Sequence, residues 1–92
     1  MSENDWKAKT LLWLETNPQA YELFDHYAKQ LIVAGSKRFG AKLIAERIRW
    51  GAAMQEYQGW KWNNNYTVYV ARIWADRNPE HAHRIRFREV QA

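Results

Sequence analysis

The sequence predicts a mostly helical α+β protein, with three to four helices and a small two-stranded sheet arranged like a helix-turn-helix or winged helix. Three observations support this fold class. Apolar residues recur at helical spacing along most of the chain. The tryptophan-rich segment near residue 60 and the arginine-rich tail instead alternate with a period of two, as strands do. The length of 92 residues fits a single domain covering residues 1–92.

The first predicted helix covers residues 4–15. Ser2 and Asp5 have the spacing of a capping box, and the tryptophan and leucine residues that follow fall at helical intervals. This helix lies within residues 1–16, a segment that could be peripheral to the rest of the domain.

The second predicted helix covers residues 18–34. It begins at Asn17-Pro18, because asparagine favours the cap position and proline has no N–H that would lack a partner in the first helical turn. Phe24 belongs to its apolar face. Gly35 supplies the left-handed residue that ends the helix.

A basic turn and a third helix follow. The turn, residues 35–40, contains Lys37 and Arg38. Small and branched apolar residues then form a narrow stripe from Ala41 to Ala52, with charged residues on the opposite side. Small side chains on this stripe predict a close approach to another helix.

The fourth predicted helix covers residues 66–77. Asn65 or Asn64 is expected to cap it, and Asn78-Pro79 is expected to end it. Its predicted inner face consists of Tyr66, Tyr69, Val70, Ile73 and Trp74.

Two strands complete the predicted fold. Residues 57–63 alternate in polarity, and so does the tail around Ile85 and Phe87. We expect the tail to pair with Trp60–Trp62, in either direction, and to present three arginines in one line. Trp60 and Trp62 could pack in the core or stack on the bases of a single strand.

The charge of the chain is unevenly distributed. Residues 1–28 carry 2 − 5 = −3, residues 29–88 carry 12 − 4 = +8, and Glu89 completes the net charge of +4. Such asymmetry indicates an anionic partner. The alternative is that the segments interleave into a mixed surface once folded.

Several other classes of function lack support in the sequence. There is no cysteine and no apolar run long enough to span a bilayer, and the first residues are acidic, unlike a signal peptide. We therefore expect a cytoplasmic protein with no membrane partner. His81 and His83 have no third ligand near them in the sequence, so no metal, cofactor or catalytic site is predicted and the protein is not expected to be an enzyme.

Part of the chain resembles a known family. From Phe24 to Val90 it is similar to small bacteriophage and prophage proteins of uncharacterised function. The residues that carry the resemblance are Glu46-Arg47-Ile48-Arg49-Trp50, Asn63-Asn64-Asn65-Tyr66, Tyr69, Ala71-Arg72 and the arginine-rich segment after Pro79. The resemblance implies a phage-type protein of the host cell cytoplasm and supplies no catalytic residues.

The residue types predict a nucleic-acid-binding protein, with DNA as the expected partner and a regulatory or accessory role. Asparagine can pair with adenine and arginine with guanine, and helix N-termini favour phosphate. The predicted base-reading residues are Asn64, Asn65 and Arg72. The predicted phosphate contacts are Lys37, Arg38, Lys61, Arg84, Arg86 and Arg88.

A different reading of the same residues remains open. The asparagines could only cap a helix, and Arg72 could pair with Glu56 or Asp76. The protein could instead be an interaction module or inhibitor that docks on a host or phage protein through Arg47 and Trp50, because tryptophan and arginine are enriched at interface hot spots. The long link from 51 to 64 also departs from the tight turn of a standard helix-turn-helix.

Overall fold

The structure, a computed structural model, describes residues 3–57 and 61–87. Within these ranges it is mostly helical with one small sheet, which confirms the predicted α+β class. The described elements are helices α1 (Glu3–Thr16), α2 (Pro18–Val33), α3 (Ala41–Ala53) and α4 (Thr67–Arg77), strands β1 (Phe39–Gly40) and β2 (Ile85–Arg86), and 3-10 segments Asn64–Tyr66 and Pro79–Arg84. Within the part of the chain that is described, no helix combines the length and apolar character needed to cross a bilayer.

α2 begins at the predicted residue and ends one residue before the predicted end, but the Asn17 side chain makes no capping hydrogen bond to it. Pro18 is its first residue, and the side-chain amide of Asn17 donates a 3.0 Å hydrogen bond to the Trp13 carbonyl at the end of α1. After its last residue, Gly35 adopts a φ of 96°, a left-handed conformation that glycine reaches at little cost. Asn17 thus separates two consecutive helices, and Gly35 turns the chain towards β1.

Aromatic rings form the centre of the core. Phe24 of α2 lies between Trp62 and Trp74, with ring centroids 6.3 and 6.5 Å away, and Trp74 in turn lies 6.2 Å from Phe39. All four side chains are buried. Trp62 is therefore a core residue, and large rings fill the space between α2, α4 and β1.

The predicted inner face of α4 is confirmed. Tyr69, Val70, Ile73 and Trp74 are buried, and Tyr66 is half-buried just before the helix. Because α4 buries residues at helical spacing, its opposite side remains at the surface.

The apolar stripe of α3 also forms, and it ends at a close contact with the segment that follows. Ile44 and Ile48 are buried, as is Gly51. The chain turns back after α3 so that the Tyr57 hydroxyl donates a 2.8 Å hydrogen bond to the Ile48 carbonyl. The Tyr57 ring lies directly over Gly51, where a larger residue would overlap it.

The predicted strand over 57–63 is wrong for its described part. Neither Tyr57 nor residues 61–63 belong to a strand, while residues 58–60 lie outside the described residues. Trp62 packs against Phe24, and its indole N–H donates a 3.0 Å hydrogen bond to the Thr67 hydroxyl. Trp62 therefore belongs to the core at the entrance to α4.

The partner of the tail strand also differs from the prediction. β2 pairs with β1 in parallel, with Phe39 opposite Ile85 and Gly40 opposite Arg86. The 3-10 segment Pro79–Arg84 packs against α4 and leads the chain to this position. A strand of two residues contains too little pattern to identify its partner.

The residue that caps the entrance to α4 is Asn63. Its side-chain oxygen accepts a 2.9 Å hydrogen bond from the backbone N–H of Asn65. The prediction that Asn64 or Asn65 is the cap was wrong, because a 3-10 turn precedes α4 and moves the capping position upstream.

Candidate nucleic-acid interface

Parallel pairing of β1 with β2 brings two basic segments together. Since Phe39 lies opposite Ile85, the residues that precede them, Arg38 and Arg84, enter the sheet side by side. Paired strands are about 4.8 Å apart, so these segments are close in space although they are distant in sequence. We call the resulting set, Lys37, Arg38, Arg84 and Arg86, the basic edge.

Three members of the basic edge are available to a ligand. Lys37, Arg38 and Arg86 are exposed. Considering only the described residues, none of the three takes part in an ion pair. Like charges grouped without acidic partners produce a positive potential that attracts anions.

Arg84 is less exposed than the other members of the basic edge. It is half-buried, and its guanidinium donates a 3.5 Å hydrogen bond to the carbonyl of Ser36. Its Nε atom is buried and has no hydrogen-bond partner among the described residues. Arg84 thus ties the chain before β2 to the loop before β1, which holds Lys37 and Arg38 next to Arg86.

The predicted line of three arginines is not formed by the described residues. Arg84 is the last residue of the 3-10 segment and turns inwards, whereas Arg86 lies in β2 and is exposed. Arg88 lies outside the described residues. Because Arg84 belongs to the 3-10 segment, its side chain does not follow the alternation of a strand, and it does not form a row with Arg86.

The predicted base-reading asparagines have different surroundings. Asn64 accepts a hydrogen bond from the guanidinium of Arg49, which joins the entrance of α4 to α3. Asn65 is exposed, and its backbone N–H is used by the Asn63 cap. Both side chains are exposed, and among the described residues that of Asn64 bridges to α3.

Arg72 lies on the exposed side of α4. Its guanidinium is 5.8 Å from the centre of the Tyr69 ring, a distance compatible with cation–π attraction. It lines a small cavity of about 270 Å³ together with Lys7 of α1 and Phe87 of the tail. Glu56, one of its two predicted partners, pairs instead with Arg47.

Lys61 is separated from the basic edge. It is exposed beside Trp62, whose ring packs against Trp13 of α1 at 5.5 Å and against Phe24. Phe24 and Trp74 then lie between Trp62 and the β1 residue Phe39. The predicted basic contacts therefore fall into two groups, one at the sheet and one near the entrance of α4.

Arg47 and Trp50, the residues predicted for protein docking, both lie on the surface of α3. Arg47 pairs with Glu56 at 3.3 Å, and its guanidinium lies 4.8 Å from the Tyr27 ring. The hydrogen bond to Glu56 raises the pKa of Arg47 above its ordinary value. Trp50 is 64% exposed, which is unusual for so large an apolar side chain.

A groove between α2 and α3 was not predicted. It has a volume of about 780 Å³, and its apolar lining includes Leu31, Val33, Leu43 and Ile44. Leu43 offered a signal in the sequence, because it falls outside the narrow apolar stripe of α3. Two surfaces, the basic edge and this groove, are therefore the features with potential for binding.

Comparisons with protein-family models, with curated proteins and with solved structures find no significant match to the chain.

Proposed function

We propose that the protein is a small, phage-type DNA-binding regulatory or accessory protein, and that the basic edge holds the phosphate backbone. The observation that carries this proposal is the parallel pairing of β1 with β2, which gathers basic residues from two distant segments. Lysine and arginine side chains attract phosphate regardless of base sequence, and release of counterions makes such binding strong at low salt.

The order of elements supports a winged-helix-like use of this surface. α3 and α4 are two consecutive helices, and β1 and β2 flank them in the sequence. In helix-turn-helix proteins, residues near the N-terminus of the second helix contact bases while neighbouring groups hold phosphates. In the proposed complex, Asn65 and Arg72 of the α4 region contact base edges, while Lys37, Arg38 and Arg86 contact phosphates. Arg88 is proposed as a further phosphate contact, and Lys61 as a separate one near the entrance of α4, on the side of Asn65.

The first test is binding to a short labelled DNA duplex and to the matching single strand at low salt. Lys37→Glu/Arg38→Glu should weaken binding about tenfold or more, because it removes two cations and adds two anions. Lys9→Glu/Lys29→Glu is the matched control, since it changes the net charge equally at exposed positions on α1 and α2. Equal losses in both variants, or no binding by the wild type, would reject the proposal.

A second candidate function, docking on a host or phage protein, is favoured by the exposure of Trp50. The side chain is 64% exposed and follows Arg47 by one helical turn. If this face is an interface, affinity purification should recover one stoichiometric protein partner that persists after nuclease treatment. Trp50→Ala should remove that partner while the stability changes by no more than about 0.5 kcal/mol. A complex that Trp50→Ala leaves intact would exclude Trp50 as the anchor.

A further inference from the structure

The groove between α2 and α3 has an apolar floor and two distinct rims. Ile44 is buried at its base, and Leu31 lies half-buried on the α2 side. The α2 rim includes Lys29 and Val33, and the α3 rim includes Leu43 and Arg47. The groove therefore follows the direction of two packed helices, as grooves that accept a third helix do.

Each rim of the groove contains an apolar residue that is largely exposed to solvent. Val33 is 88% exposed and Leu43 is 53% exposed. Beyond the groove, Trp50 near the end of α3 and Met54 just after it are 64% and 60% exposed. Several large apolar side chains exposed near one groove typically mark a binding site.

The residues along α3 have the spacing of a helix-packing seam. Leu43, Arg47, Trp50 and Met54 follow one another at intervals of four, three and four residues, which places them on one side of the helix. At a rise of about 1.5 Å per residue, this seam is roughly 16 Å long. A partner helix of about three turns matches that length.

The charge of the rims indicates the chemistry of the partner. Lys29 on α2 and Arg47 on α3 both line the groove, and no acidic residue is among the described residues that line it. Their acidic partners Asp25 and Glu56, at 3.0 and 3.3 Å, hold the two cations in position from outside the groove. A ligand with acidic residues on both sides of an apolar stripe would be complementary to these rims.

We propose that this groove binds an amphipathic helix of another protein, with apolar residues facing the floor and acidic residues facing Lys29 and Arg47. The proposal rests on the second candidate function and is independent of DNA binding by the basic edge. A nucleic acid is disfavoured as the occupant, because aliphatic side chains such as Leu31, Val33 and Leu43 form much of the lining and make no hydrogen bond to phosphate. The concave shape also fits a helix better than a flat lipid surface.

The test is a selection from a random library of displayed peptides, each about 16 residues long, against the full chain. We expect enriched peptides to carry apolar residues at alternating intervals of three and four, with glutamate or aspartate beside them. Enrichment of basic peptides, or of peptides without this period, would overturn the proposal. So would a selection that yields no binder.

Variants of the groove should confirm where the selected peptides bind. Leu43→Asp should weaken the best peptide about tenfold or more, and Val33→Asp provides a second test at a position with even less role in folding. Leu12→Asp on α1 is the matched control, because Leu12 is 64% exposed and does not line the groove. Equal affinity of Leu43→Asp, Val33→Asp and the wild type would overturn the proposal.

Reversing the charges of the rim residues tests whether the groove selects acidic peptides. Lys29→Glu/Arg47→Glu should weaken the selected acidic peptide and strengthen a version in which each acidic residue is lysine. If both peptides respond alike, the rims do not select charge and the proposal fails.

Two further measurements separate this inference from the alternatives. Leu43→Asp should bind DNA as the wild type does, so loss of the peptide and loss of DNA binding report on different surfaces. Vesicles of phosphatidylglycerol and phosphatidylcholine should not bind. Vesicle binding that Leu43→Asp abolishes would assign the groove to a lipid surface and overturn the proposal.

Discussion

The indole N–H of Trp74 donates a 2.9 Å hydrogen bond to the carboxylate of Asp25, a residue 49 positions earlier in the chain. Trp74 is completely buried, and the other oxygen of Asp25 accepts a 3.0 Å hydrogen bond from Lys29. One carboxylate therefore joins the centre of α4 to α2 and holds a cation at the rim of the groove. Through Trp74, which contacts Phe39, the same interaction supports β1.

Loss of the Asp25 acceptor should destabilise the core. Asp25→Ala leaves the buried indole N–H without a partner, which costs about 1–3 kcal/mol in the free energy of unfolding. Asp25→Asn retains an oxygen that can accept the bond and should cost less. Lys29→Ala is the control, because an exposed ion pair of this spacing contributes only about 0.3–0.5 kcal/mol. Urea unfolding measures all three, and equal losses in the two Asp25 variants would contradict this account.

Gly51→Ala should destabilise the protein although alanine is the better helix former. A Cβ atom at this position would overlap the Tyr57 ring and the Glu56 carboxylate. Helix propensity alone would favour alanine by about 1 kcal/mol. Overpacking costs about 1–3 kcal/mol, so the overlap should outweigh the gain in propensity. In Gly40→Ala the new atom meets nothing closer than 4.0 Å, so that variant is the matched control. A thermal melt in which Gly51→Ala equals or exceeds the wild type would show that Tyr57 does not pack there.

The capping role of Asn63 predicts unequal effects within the asparagine triplet. Asn63→Ala removes the side-chain acceptor for the Asn65 N–H and should cost about 1 kcal/mol. Asn65→Ala should change stability by no more than about 0.5 kcal/mol, because its side chain is exposed. Chemical denaturation of the two variants compares these values directly. A larger loss of stability for Asn65→Ala than for Asn63→Ala would show that Asn65 is the capping residue, as the sequence predicted.

Tyr57 should make the fold sensitive to alkaline pH. Burial raises the pKa of Tyr57 above its ordinary value of about 10. Since the folded state holds this proton more tightly, the associated stability is complete below pH of about 10 and is lost as the pH rises towards the folded-state value. The free energy of unfolding should therefore fall more steeply above that pH in the wild type than in Tyr57→Phe. Identical slopes in urea titrations across that range would refute the assignment.

The helices were predictable because their signals are local. Asn17-Pro18 and Gly35 mark the ends of α2, and the apolar spacing of α4 identifies the face that contacts the core. These signals depend on backbone conformation and on the helical period, and both can be read from neighbouring residues.

The sheet and the basic edge were not predictable in the same way. β1 and β2 contain two residues each, so their pairing depends on where the 3-10 segment places the tail. Without that pairing, nothing in the sequence shows that Arg38 and Arg84 are neighbours or that Arg84 binds the Ser36 carbonyl. The aromatic alternation near Trp62 was misleading, since rings packed in a core can repeat with any period.

The groove between α2 and α3 needed the structure for a similar reason. Leu43 and Val33 each resemble an ordinary exposed apolar residue in the sequence, and single ones are common. Only the packing of α2 on α3 places them along one groove with Lys29 and Arg47 at its rims.

The salt dependence of DNA binding tests the central proposal most directly. The logarithm of the association constant should fall linearly with the logarithm of salt concentration, and each phosphate contact contributes a slope of about 0.9. We expect Lys37→Ala, Arg38→Ala and Arg86→Ala each to reduce the slope by about one, whereas Lys9→Ala leaves it unchanged. Slopes that do not change in the three basic-edge variants, or no measurable binding at low salt, would contradict the proposal that this edge binds DNA.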